Sequence, residues 1–151
     1  VVDFAAVTSP LTIQKPLHKT HLASYREILI GGTKYKELAS QIRSLNDLSG
    51  IPVIGLADGT GTRELYHRYF LSHGLMFAPD MEAATTDQIL PMIIHNLGIG
   101  FYPEELAAEA IARGSAYAIR LVEPIPEREI CLVTNSSTQM SAAVRKVISF
   151  L

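Results

Sequence analysis

Residues 51–74 read IPVIGLADGTGTRELYHRYFLSHG, and this stretch decides the fold class. Val53, Ile54 and Leu56 form a short apolar run of the kind that fills a buried strand. A turn rich in glycine follows, and residues 63–72 then place Leu65, Tyr69 and Phe70 at helical spacing. Gly74 supplies the residue that most often ends a helix. A strand, a tight turn and a helix in that order form the unit from which α/β folds with parallel sheets are built.

The same alternation continues on both sides. Upstream, Phe4-Ala5-Ala6-Val7 reads as a strand covered on both faces, and Thr8-Ser9-Pro10 marks its departure from a sheet. Residues 14–25 look polar and extended, and Glu27-Ile28-Leu29-Ile30 is a second buried strand closed by Gly31 and Gly32. Residues 35–42 suit a short helix and residues 45–48 a turn. Downstream, residues 81–84 suit a strand. Thr85 or Thr86 is placed to cap a helix over 87–96 with Ile89, Leu90, Ile93, Ile94 and Leu97 on its core stripe. Pro91 falls early enough in that helix to be tolerated. Residues 98–102 form another strand, and Pro103-Glu104-Glu105 opens the next helix with proline first and carboxylates at its positive end. Strands over 117–121 and 129–133 flank the Pro124/Pro126 segment, and Ser141 precedes a terminal helix over 142–151.

Composition narrows the function classes. With 151 residues, 48% hydrophobic and 19% charged, the chain has the makings of a real core. A formal net charge of −2 gives no basic field to hold nucleic acid. The lone cysteine, Cys131, sits in an apolar run and reads as a buried strand residue; it permits no disulfide within the chain. His18, His21, His67, His73 and His95 are scattered without metal-ligand spacing, so no metal and no cofactor are expected. No apolar run approaches the roughly 20 residues of a membrane helix, and no secretory signal pattern is visible. Val1 to Val7 reads as a strand already under way, the expectation for a chain lacking an N-terminal part.

Two loops carry most of the chemical interest. In Asp58-Gly59-Thr60-Gly61-Thr62-Arg63 the glycines allow a tight turn, while the start of a helix and the threonine hydroxyls offer donors to an anion. A plain capped turn explains the same residues. The Gly-Lys-Ser/Thr ending of a P-loop is missing, so nucleotide hydrolysis is unsupported. Thr85 and Thr86, between another strand and helix, admit the same two readings. Phe101 or Tyr102 is a candidate wall of a pocket or part of a buried strand. No Gly-x-Ser-x-Gly elbow is present, and Glu104, Glu105 and Glu109 look like one solvated helix face. The balance points away from an enzyme.

Three stretches in order, residues 51–74, residues 85–103 (TTDQILPMIIHNLGIGFYP) and residues 119–151 with RLVEPIPEREICLV and SAAVRKVISFL, resemble the effector-binding domain of LysR-type transcriptional regulators. The resemblance implies a type 2 periplasmic-binding-protein fold, with two α/β lobes, mostly parallel sheets and an effector cleft between the lobes. It places residues 1–7 at the end of a first, incomplete lobe, residues 8–121 in the second lobe, and residues 122–151 back in the first. It also implies Thr60, Gly61 and Thr62 as effector contacts, Thr8 at the hinge, and Thr85, Thr86 and Phe101 as wall positions. The effector would be a small, commonly anionic metabolite. DNA would be bound only by a segment absent from this chain, and the bacterial parent would be a cytoplasmic homodimer or homotetramer. An extracytoplasmic solute-binding protein of the same fold is the alternative, followed by an enzyme on a related two-lobe scaffold such as a dehydratase or a porphyrin-building deaminase.

Overall fold

The computed structural model describes residues 4–8 and 17–135. In chain order the strands are β1 (Phe4–Thr8), β2 (Leu17–Tyr25), β3 (Glu27–Gly31), β4 (Val53–Leu56), β5 (Met81–Ala83), β6 (Ile99–Pro103), β7 (Tyr117–Ile119) and β8 (Arg128–Asn135). The helices are α1 (Gly61–Ser72), α2 (Ile89–Ile94) and α3 (Glu104–Ala112). The chain divides into two compact units, one of Val1–Tyr25 with Arg128–Leu151 and one of Arg26–Glu127. The terminal helix expected over 142–151 lies outside the described residues.

In the first unit, β8 runs between β1 and β2 and is antiparallel to each. Phe4 faces Thr134 and Thr8 faces Ile130, while β2 pairs from Leu17 with Asn135 to Tyr25 with Arg128 through a bulge between His21 and Ala23. Cys131 and Leu132 on the central strand are buried, as the apolar run around the cysteine suggested. Ala5 and Ala6 are exposed, against the expectation of a strand covered on both faces.

The second unit is built on a five-stranded sheet of order β5-β4-β6-β3-β7. β4 lies parallel to β5 and to β6, whereas β3 is antiparallel to β6 and to β7. The sheets are therefore less parallel than expected. Successive strand residues face opposite sides, which sorts the core. Leu29, Ile99, Phe101 and Ile119 pack with Tyr66, Tyr69, Phe70 and Phe77 on one face. Ile30, Ile54, Leu56 and Tyr102 pack with Ile89, Ile93 and Ala107 on the other.

Local chemistry explains two departures from the predicted elements. Residues 35–42 do not form an α-helix; two 3-10 turns, Thr33–Tyr35 and Leu38–Ser40, stand there instead. The Ser40 hydroxyl and the Arg43 guanidinium donate to the Glu37 carbonyl, and Arg43 Nε donates to the Leu38 carbonyl at 2.9 Å, so side chains take up acceptors a helix would have used. The helix expected over 87–96 is shorter: a 3-10 turn at Thr86–Gln88 leads into α2, with Pro91 in its first turn. Neither threonine supplies a side-chain cap there. The Gln88 Oε1 instead accepts from the Ala84 amide at 2.9 Å.

The division into compact units falls at Tyr25/Arg26 and at Glu127/Arg128, and β1 and β2 belong to the same sheet. Residues 121–127 belong with the second unit because their groups are tied to it. The Glu123 carboxylate accepts from the Ser44 hydroxyl at 2.7 Å and the Leu45 amide at 3.1 Å, and its carbonyl accepts from Tyr69 at 2.8 Å. Burial alone would raise the Glu123 pKa, but these donors, its own backbone and the His73 ring outweigh it and hold the carboxyl below the usual range. Burial and then the Glu123 charge push the Tyr69 phenol upward.

Candidate functional site

Strands β4, β5 and β6 run in one direction, so the loops that follow them leave the same edge of the sheet. This carboxyl edge is where open α/β sheets bind ligands. The loop after β4 turns at Gly59, whose φ of +88° suits glycine. Thr60 then caps α1: its hydroxyl accepts from the Arg63 amide at 3.1 Å and donates to the Ala57 carbonyl at 2.9 Å. The hydroxyl of Thr60 is committed to folding, so the plain capping reading holds for this residue. Gly61 is exposed at the first position of α1, where helix geometry leaves backbone donors pointing outward. Thr62 is half-buried and has an interaction of its own.

Arg63 fixes the loop to its neighbours. Its Nη1 donates to the Leu56 carbonyl at 2.9 Å and stands 3.5 Å from Glu82 on β5, while the guanidinium lies 5.6 Å above the Phe77 ring. The ends of β4 and β5 are thus bridged by a side chain only 17% exposed.

The other predicted residues separate. Thr85 is exposed and Thr86 half-buried, on the loop after β5, so they share the carboxyl edge with residues 60–62. Phe101 is a core residue and not an open wall. It is 5% exposed, stacks on Tyr66 at 4.3 Å and meets Tyr69, Phe70 and Phe77 edge-on. The cavity it lines with Thr62, Arg63 and Tyr66 measures about 10 Å³, about the lower limit for one water. Thr8 belongs to the first unit, where its hydroxyl accepts from Arg128 at 3.3 Å.

Sequence reasoning passed over Glu27 and Tyr66. Glu27 is 6% exposed at the head of β3, and the Tyr66 hydroxyl donates to its carboxylate. The signal was present: a carboxylate opening an apolar run, and a tyrosine one turn after Thr62. Tyr102 was considered only as an alternative to Phe101. It faces the opposite side of the sheet, 6% exposed, with its phenol pKa raised by burial and then by the Asp87 charge. Two larger concavities hold none of the predicted residues. One of about 450 Å³ is lined by Arg26, Glu27, Arg120, Glu123 and Glu127; the other, of about 590 Å³, by Leu48, Ile51, Phe70 and Met76. Among the described residues no group of three metal-ligating side chains is assembled, and no helix is long and apolar enough to cross a membrane.

Comparison with known proteins gives this geometry a setting. The family model described as LysR substrate binding domain matches residues 1–151. The helix-turn-helix-type transcriptional regulator YeiE of Escherichia coli K12, itself uncharacterised, is 24% identical over 142 residues, covering 91% of this chain and 48% of that protein. The chain thus spans about half the length of the curated relatives it matches. The regulatory domain of Synechocystis PCC6803 CcmR in complex with 2-PG superposes with a TM-score of 0.81 at 17% identity, over 98% of this chain and 71% of that one. The effector-binding domain of QuiR in complex with shikimate gives 0.81 at 16% identity, over 98% and 69%. These structures share the two-sheet α/β fold seen here. The match along the whole chain settles its kinship: it belongs to the LysR substrate binding domain family.

Proposed function

We propose that this chain is the effector-sensing part of a LysR-type transcriptional regulator, and that a small, commonly anionic metabolite is held at the carboxyl edge of β4 and β5. The observation that carries the reading is the parallel pairing of β4 with β5, which brings the Thr60–Thr62 and Thr85–Thr86 loops to one edge. The relatives support it, since YeiE is named as a transcriptional regulator and the CcmR and QuiR domains were solved with small molecules bound. A solute-binding protein of the same fold, or an enzyme, finds no such support. In the longer parent, DNA is contacted by a segment outside this chain, the effector shifts a conformational equilibrium that already exists, and the protein works in the cytoplasm as a homodimer or homotetramer.

The two threonines of the α1 loop have separable roles, which makes the reading testable. Thr60→Ala removes a cap and costs about 0.5–2 kcal/mol of stability, a fall of a few degrees in thermal midpoint. Thr62→Val keeps shape and removes one hydroxyl, with a stability change of about 1 kcal/mol or less. Calorimetric titration with small carboxylic and phosphoric acids should show binding weakened several-fold or more in Thr62→Val. Unchanged affinity in that variant for every acid that binds the natural chain would remove the α1 loop from the site.

A further inference from the structure

The groove of about 590 Å³ lies at the other end of the parallel strands from the threonine loops. Residues 49–52 lead into β4, Ala78 and Asp80 precede β5, and all of them line it. With β4 and β5 parallel, this is the amino edge of the sheet. Its volume is that of a small-molecule pocket. Buried Phe70 and Phe77, ring centroids 4.9 Å apart, line it with Leu48 and the half-buried Ile51 and Leu75. Met76 also lines it and is 78% exposed, a flexible thioether chain able to adapt to an apolar guest.

The charge of the groove has one sign. Asp80 is the one charged side chain that lines it. The Asp80 Oδ2 accepts from the Val53 amide at 2.9 Å and the Asp80 amide donates to the Val53 carbonyl at 2.8 Å, which anchors the carboxylate where β4 begins. A carboxylate can accept from several donors, and among the described residues no cation pairs with Asp80. Phe70 belongs to the last turn of α1, which holds no basic residue, and a helix carries partial negative charge at that end. His73 caps α1 but sets its ring against Tyr69 at 5.5 Å. Arg63 lies 5.6 Å from the Phe77 ring centre, outside the groove lining, and is paired with Glu82.

We infer that this groove is a second ligand site, and that it takes a small molecule with an apolar body and a single ammonium group. The body displaces water from Leu48, Ile51, Leu75, Met76 and the two rings, and that burial supplies most of the affinity. The ammonium donates to the Asp80 carboxylate, which fixes the orientation and selects the ligand's charge. Acids are repelled by the same carboxylate, so the class of ligand is opposite to the one proposed for the carboxyl edge. No proton is transferred and no bond is made. The inference does not rest on the effector reading, and either can fail while the other stands.

The test titrates 2-phenylethylamine, 2-phenylethanol and 3-phenylpropionate, alike in size and different in charge, into the isotopically labelled chain and follows its amide chemical shifts. The amine should bind saturably and move the amides of residues 46–51 and 75–78. An exposed ion pair is worth little, so the amine should bind about twofold to fivefold more tightly than the alcohol at low salt. The preference should shrink as salt screens it, and the acid should bind this groove most weakly. Asp80→Asn keeps an acceptor for the Val53 amide and removes the charge. It should bring the ratio of amine to alcohol affinity close to one and leave the alcohol's affinity within about twofold, since apolar burial is unchanged. Met76→Lys puts a cation at an exposed position of the lining and should make the alcohol the preferred ligand. A merely structural Asp80 would alter the thermal midpoint and leave the ratio alone. Absence of saturable amine binding, shifts confined to other residues, equal binding of amine and alcohol, or a ratio unmoved by Asp80→Asn each overturns the inference. Binding of the acid at the carboxyl edge is read separately, from the amides of residues 57–62, so the effector reading is judged on its own signals.

Discussion

Phe101→Ala should cost the second unit about 3–5 kcal/mol, the range for emptying a large aromatic from a packed core. Phe101 sits on β6, the central strand of the sheet, stacked at 4.3 Å on Tyr66 and ringed by Tyr69, Phe70 and Phe77. Removing it opens a void beside rings that α1 and the segment after it hold in place, so the site cannot collapse cheaply. Phe101→Leu, which keeps most of the volume, should cost much less. Urea denaturation followed by circular dichroism reads both. A loss under about 1 kcal/mol for the alanine variant would mean that this ring is not buried as described, and the wall reading of Phe101 would return.

Gly32→Ala should be the other severe substitution. A Cβ at this position would stand 2.4 Å from the Ile93 carbonyl oxygen and 2.3 Å from Asn96 Oδ1. The carbonyl is backbone at the end of α2, and Asn96 is held twice: its Oδ1 accepts from the Lys34 amide at 3.0 Å and its Nδ2 donates to Thr33 Oγ1 at 3.2 Å. Asn96 itself has a φ of +62°, the left-handed residue that ends the helix. Neither neighbour can withdraw without breaking this junction, so the cost belongs at the upper end for overpacking, about 3 kcal/mol. Gly50→Ala makes a useful contrast. Its Cβ would meet nothing within 4 Å, but its φ of +81° charges only backbone strain, on the order of 1–2 kcal/mol. The thermal midpoint of Gly32→Ala should therefore fall further than that of Gly50→Ala; the reverse order would contradict the close approach at Gly32.

What was legible in the sequence follows from which interactions are local. The run Val53-Ile54-Gly55-Leu56, the glycine turn and the α1 pattern name their own structures, because periodicity and capping are read over a few residues. Strand direction was not legible, since β3 meets β6 across some 70 residues of intervening sequence. At Phe101 and Tyr102, alternation shows that the two face opposite sides, but only tertiary packing says which side is crowded by four aromatic rings. At Thr60 the competing readings were a cap and a ligand contact; the hydrogen bonds to Ala57 and Arg63 assign it to the cap. Thr85 or Thr86 was expected to cap a helix by its side chain, and Thr85 stands at the N-cap without a side-chain cap hydrogen bond.

The placement of the site itself is open to direct observation by amide chemical-shift mapping of the isotopically labelled chain, titrated with small carboxylic and phosphoric acids. Binding at the carboxyl edge should move the amides of residues 57–62 and 84–87 in a saturable way. It should leave the groove lined by Leu48, Ile51 and Met76 and the concavity lined by Arg120 and Glu127 unaffected. Saturable shifts confined to either of those concavities, with both loops silent, would place the ligand elsewhere and refute the carboxyl-edge site.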